Sequence, residues 1–113
     1  MPPVLAGAPA PHPFKADSSG AFSRTILVAE ESPDFRLSIR DFSFPPDRRT
    51  HTIVLPAAAF IHRLSGTGVI NISNQRLVLT PRARTAVPPR APIKVKNSGD
   101  QPVVLRALIV EAK

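Results

Sequence analysis

The sequence predicts a single all-β domain, and three observations carry the prediction. Apolar and polar residues alternate over short runs, the period of a half-buried strand, and do not recur at helical spacing. Fourteen prolines in 113 residues cut the chain into segments too short for long helices. Turn-forming clusters separate the runs at fairly even intervals, as in a sandwich or barrel. A hydrophobic fraction of 42% and a charged fraction of 20% are those of an ordinary folded protein, and the length suits one domain.

The elements follow in order. Residues 1–22, Pro- and Ala-rich, read as an N-terminal arm, mobile or available for strand exchange, and residues 23–113 as the domain. "SRTILVAEE" is a short strand ending at Glu31. "DFRLSIRDFSF" alternates with Phe35, Leu37 and Ile39 on one side, then resumes on even numbers at Phe42 and Phe44; a bulge near Arg40 and Asp41 accounts for the slip. "PPDRR" is a turn. "HTIVL" and "AAAFIHRLSG" are strands separated at Pro56, the second being too short between Pro56 and Gly66 to make a useful helix. "GVINIS" and "RLVLT" form a hairpin around Asn74. A proline-punctuated connection with a short strand leads to "IKVKN", the turn "NSGD", and a closing strand or two in "PVVLRALIVEA".

Composition removes several function classes. The absence of cysteine excludes disulfides, thiolate metal sites and cysteine nucleophiles. No apolar run approaches the ~18 residues of a membrane span. The start of the chain lacks the basic segment and apolar core of a secretory signal, so the cytoplasm is the expected compartment. The net charge of +7 is unevenly spread: residues 44–113 hold eleven Lys/Arg against three Asp/Glu, or +8, and the first 43 residues hold four against five, or −1. Such a surface attracts anions. Nucleic acid is disfavoured, because the aromatics are 5%, all Phe, and offer little for base stacking.

From about Phe42 to Val110 the chain resembles the cupin superfamily, whose first motif is G-x5-H-x-H-x3,4-E-x6-G and whose second is G-x5-P-x-G-x2-H-x3-N. "FPPDRRT" is similar to the family's Pro-Pro-Gly turn, with Asp47 at the glycine. "HRLSGTGVI" is similar to its strand and hinge, with Gly66 as the final glycine of the first motif. "LVLTPRARTAVPPRAPIKVKNSGDQP" is similar to the second motif and its flanks, with Pro88 and Asn97 at the proline and asparagine. The resemblance implies a double-stranded β-helix, or jelly-roll, barrel. It also implies a homodimer, for which the arm and "SRTILVAEE" are candidates for exchange.

The family's metal ligands have no counterparts. In this register the two histidine positions of the first motif fall on Ile53 and Leu55 and the glutamate on Ala59. In the second motif the glycine falls on Arg90 and the histidine on Ile93. A divalent ion needs converging imidazole or carboxylate donors, which aliphatic side chains lack. No metal and no cofactor are expected, and the family's metal chemistry is not carried over.

The expected function is a metal-free module binding a small apolar or amphipathic molecule inside the barrel. Phe42, Phe44, Ile53, Leu55, Ala59, Ile61, Ile93 and Val95 would line the pocket, and Arg63 would anchor a polar group. Two alternatives stand beside it: a structural or assembly module with a packed barrel core, and a cofactor-free cyclase or isomerase assisted by His51 or Arg63. Whether the chain is an enzyme is left open, since no nucleophile, base and orienting group can be assembled from spacing. His62 has the parity of an outward residue, and His12 lies in the arm. Arg63 and Arg40 each read either as a ligand-anchoring cation or as a residue at the barrel mouth, paired with an acid or solvated, while Arg82, Arg84 and Arg90 form a cluster able to collect anions.

Overall fold

The computed structural model describes residues 14–16, 22–29, 34–47 and 49–112. The rest of the expected arm and the end of "SRTILVAEE" lie outside them. Among the described residues there are ten strands and no helix. They are β1 (Lys15–Ala16), β2 (Phe22–Ala29), β3 (Phe35–Phe44), β4 (Thr50–Val54), β5 (Ala58–Ser65), β6 (Gly68–Ile72), β7 (Gln75–Val78), β8 (Arg84–Val87), β9 (Pro92–Asn97) and β10 (Val103–Ala112). The run after Pro56 is strand from Ala58 and not helix, and the closing run is a single strand from Val103.

Two antiparallel sheets form the jelly roll. The larger has the order β1-β2-β3-β10-β5-β8 and the smaller β4-β9-β6-β7. Period-2 patterning assigns the faces. In β9, Ile93 and Val95 are buried and Lys94 and Lys96 exposed; in β10, Val103, Leu105, Ala107 and Ile109 point inward. The sheets meet over these residues and Phe42, Phe44, Ile53, Leu55, Ile61, Ile70 and Ile72. A fully buried aliphatic or Phe side chain stabilises by about 1.5–3 kcal/mol, so this layer is the main source of stability.

The bulge is displaced from its expected place. β3 runs opposite β10 in unbroken register from Phe35↔Ala112 to Phe44↔Val103. The irregularity lies in β2, where Thr25 pairs with Arg40 and Leu27 with Ile39, leaving Ile26 as the extra residue. The parity of β3 therefore never changes. Leu37 and Ile39 face outward while Phe42 and Phe44 face the core, so the strand is apolar on one side in its first half and on the other in its second. A second irregularity falls between Ser65 and Arg63 of β5, opposite Val104 and Leu105.

Three positions singled out by the resemblance are structurally constrained. Gly66 has φ 90°, and a side chain there would come within 2.5 Å of the Pro102 carbonyl oxygen. Asn97 is buried and fully used: Nδ2 donates to the carbonyls of Phe44 at 3.1 Å and Gln101 at 2.7 Å, and Oδ1 accepts from the Gly99 amide at 2.8 Å. Arg90, at the second motif's glycine position, has φ 59°, a left-handed conformation that glycine adopts without steric cost.

Candidate functional site

The barrel interior is built from the positions singled out in the sequence. Ile53 and Ile93 are direct partners on β4 and β9, with Leu55 beyond them and Ala59 on the facing sheet. Their exposures are 6, 0, 1 and 3% in the order Ile53, Ile93, Leu55, Ala59. Phe42, Phe44, Ile61 and Val95 belong to the same cluster. A side chain bordering a void that admits water would retain accessible surface, so values near zero mean protein atoms on every side. These aliphatic groups pack the interior between the two sheets, and they offer no donor to a metal ion. Among the described residues no group of three or more His, Cys, Asp or Glu converges.

The polar residues expected to assist each have a partner, although Arg40 Nε is buried without one. His51 points inward as its parity with Ile53 requires; it is buried against Phe44, with ring centroids 6.2 Å apart. Its Nε2 lies 3.0–3.1 Å from both carboxylate oxygens of Asp47. The Arg49 amide and the His51 ring hold the Asp47 carboxyl below its ordinary value. Arg63 is half-buried at the end of the barrel, where Nε donates to the Gly66 carbonyl at 2.6 Å. Arg40 faces inward from β3; its Nη2 donates to Ser23 Oγ at 3.2 Å, and its guanidinium lies 5.2 Å from the Phe42 ring. His62 faces out and is exposed, as expected.

A second constellation lies on the outer face of the large sheet, and the sequence did not single it out. Strand register sets Arg24, Asp41, Arg106, His62 and Arg84 side by side across β2, β3, β10, β5 and β8. Asp41 is at 0% exposure. Arg106 donates Nε and Nη2 to it at 2.8 and 3.0 Å, and Arg24 adds Nε and Nη2 at 3.3 and 3.2 Å. Burial alone would raise the Asp41 carboxyl; the bonds and charge of Arg106, then of Arg24, overcome this and hold it below 3.8. The same contact raises Arg106.

The next row on this face is apolar. Ile39, Leu108, Phe60 and Ala86 are successive partners across β3, β10, β5 and β8, and Phe60 is 61% exposed. Together with His62, Arg84 and Arg106 they line a groove of about 560 Å³. A cleft of about 440 Å³ adjoins it, lined by His62, Arg63, Pro81, Arg82, Ala83 and Arg84. Arg82 and Arg84 of the predicted cluster thus meet there, whereas Arg90 sits elsewhere, its amide bonded to the Leu55 carbonyl at 3.2 Å. The signal for the groove was the outward apolar parity of Leu37 and Ile39 together with Phe60 and Leu108.

No protein-family model and no curated protein matches the sequence. Solved structures match by shape. A cupin-2 domain from Rhodospirillum rubrum superposes with a TM-score of 0.62 at 13% identity, over 90% of this chain and 64% of its own. The chain therefore spans just under two thirds of that protein. An RmlC-like cupin from Shewanella frigidimarina gives 0.66 at 14% identity, over 89% of this chain and 85% of its own. A cupin superfamily protein from Desulfitobacterium hafniense gives 0.54 at 18% identity, over 84% and 81%. The fold is that of the cupins.

Proposed function

We infer that this cupin-fold chain is a metal-free binding module for a small apolar or amphipathic molecule. It holds that molecule on the outside of the large sheet and uses the barrel as a packed scaffold. One observation carries the reading. The positions at which the family pattern places metal ligands hold Ile53, Leu55, Ala59 and Ile93, which are all buried within one hydrophobic cluster. That arrangement gives no support to an ion and leaves little room for a guest. The apolar groove at Phe60 and Leu108 offers the concave, mostly apolar lining that ligand sites share.

The filled interior also favours a second reading, a structural or assembly module. A homodimer joined through the N-terminal segment belongs to either proposal. The cyclase or isomerase reading gains less, since His51 is engaged by Asp47 and Arg63 by the Gly66 carbonyl.

Native mass spectrometry of the freshly purified protein, read against its denatured mass, tests the proposal. A stoichiometric organic mass is the expected result. An excess matching one divalent metal per chain would overturn it, and a clean apo species would transfer the argument to the structural module.

A further inference from the structure

The apolar groove and the basic cleft beside it share His62 and Arg84. We propose that they form one site for a free, single-chain amphiphile with an anionic head. The chain lies along Ile39, Leu108 and Phe60, and the head is taken by Arg84 and Arg82. This names the ligand class for the binding reading above and rests on it.

The floor has the right dimensions. Ile39, Leu108, Phe60 and Ala86 make a strip four strands wide. At ~4.8 Å per strand this is roughly 14 Å, the length of a chain of about ten carbons. A mostly exposed Phe at its centre is surface that gains from being covered.

The charge at the strip's edge selects the head. Neither lining contains an Asp or Glu. Arg24 and Arg106 are committed to Asp41. The side chains of Arg82 and Arg84 have no hydrogen-bond or ion-pair partner among the described residues, so both guanidinium forks are available to a carboxylate or phosphate. The overall charge of +7 draws anions toward the same surface.

Charge also argues against a second copy as the occupant. A two-fold contact places the same patch on both sides, setting arginines against arginines. The one acid in the row, Asp41, is buried and already shared by two of them.

The test is titration calorimetry with sodium decanoate, decanol and decyltrimethylammonium on the wild type and on Arg84→Glu and Phe60→Asp, both exposed positions. Decanoate is expected to bind once per chain, at least tenfold more tightly than the cation, and each variant should weaken it tenfold or more without moving the thermal midpoint appreciably. Equal binding of decanoate and decyltrimethylammonium would refute the anionic head, and wild-type affinity in both variants would refute the location. Binding to phosphatidylglycerol vesicles in place of free decanoate, lost in Phe60→Asp, would make this face a membrane contact and overturn the free ligand. If decanol binds and decanoate does not, the proposal fails while the binding reading stands. If none of the three binds and the purified protein carries no organic mass, both fail.

Discussion

Arg106 grips Asp41 from the neighbouring strand, Nε to one carboxylate oxygen at 2.8 Å and Nη2 to the other at 3.0 Å. Arg24 closes the other flank and lies 4.2 Å from the centre of the Phe14 ring. The acid thereby ties β2, β3 and β10 together on the face opposite the core. Asp41→Asn should destabilise the protein by about 2–3 kcal/mol, less than the ~3–5 of a fully buried pair because both guanidiniums keep contact with water. Urea denaturation measures it.

Acid should act through the same residue. A carboxylate whose folded value lies below its ordinary 3.8 stabilises the fold above that pH and loses the contribution as the pH falls through the folded value. Wild-type stability should therefore decline below pH 3.8, and Asp41→Asn should show a shallower decline. Denaturation midpoints collected from pH 6 down to about pH 2 give the comparison, with equal slopes counting against the assignment.

Asn97 holds the end of β3 to the β9–β10 turn through three hydrogen bonds. Asn97→Ala removes all three and strands buried carbonyls, so a loss of about 3 kcal/mol is expected at ~1 kcal/mol per bond. Asn97→Asp should cost a similar amount: its oxygen can still accept from Gly99, but nothing donates to Phe44 and Gln101, and a buried carboxylate then faces their carbonyl oxygens. A midpoint shift below a few degrees in both would contradict this.

Two of the three left-handed positions among the described residues, Gly66 and Arg90, should respond in opposite directions. Gly66→Ala meets both an unfavourable φ and the Pro102 carbonyl, and should lose about 2–3 kcal/mol. Arg90→Gly relieves a non-glycine residue at φ 59° and should gain about 0.5–1 kcal/mol after the extra freedom of the unfolded chain is counted. Thermal unfolding of the two variants side by side settles the signs.

Metal should be irrelevant to stability. A ligand that binds only the folded state raises the midpoint in proportion to the logarithm of its concentration. With Ile53, Leu55, Ala59 and Ile93 at the motif positions, dialysis against EDTA, or addition of zinc or manganese, should leave the midpoint unchanged. A rise on adding either ion would show a site built from other residues.

The strands were legible because β4, β9 and β10 each bury one face, and period 2 then writes the fold into the sequence. Gly66, Arg90 and Asn97 were placed through the resemblance to the cupin motifs, and the positive φ of the first two and the buried bonding of the third give the physical reason those positions are constrained. The outer face was not legible for the same reason. In β3, Ile39 and Phe42 are apolar on opposite sides, and a periodicity argument that assumes one buried face turns this into a bulge. Nor could the pairing of Asp41 with Arg106 be read: their partnership is fixed by the register of two strands 65 residues apart, which spacing along the chain does not encode.

The position of β10 governs how the molecule can assemble. It is paired on both sides, to β3 over its whole length and to β5 over most of it, so the large sheet has no centre until this segment arrives. Contacts spanning so much chain close slowly, and folding in the millisecond-to-second range is the expectation for such a topology. Until then β3 and β5 expose open edges to any strand in the neighbourhood. A synthetic peptide covering Val103–Ala112, supplied in trans to a chain lacking it, would therefore compete directly with aggregation.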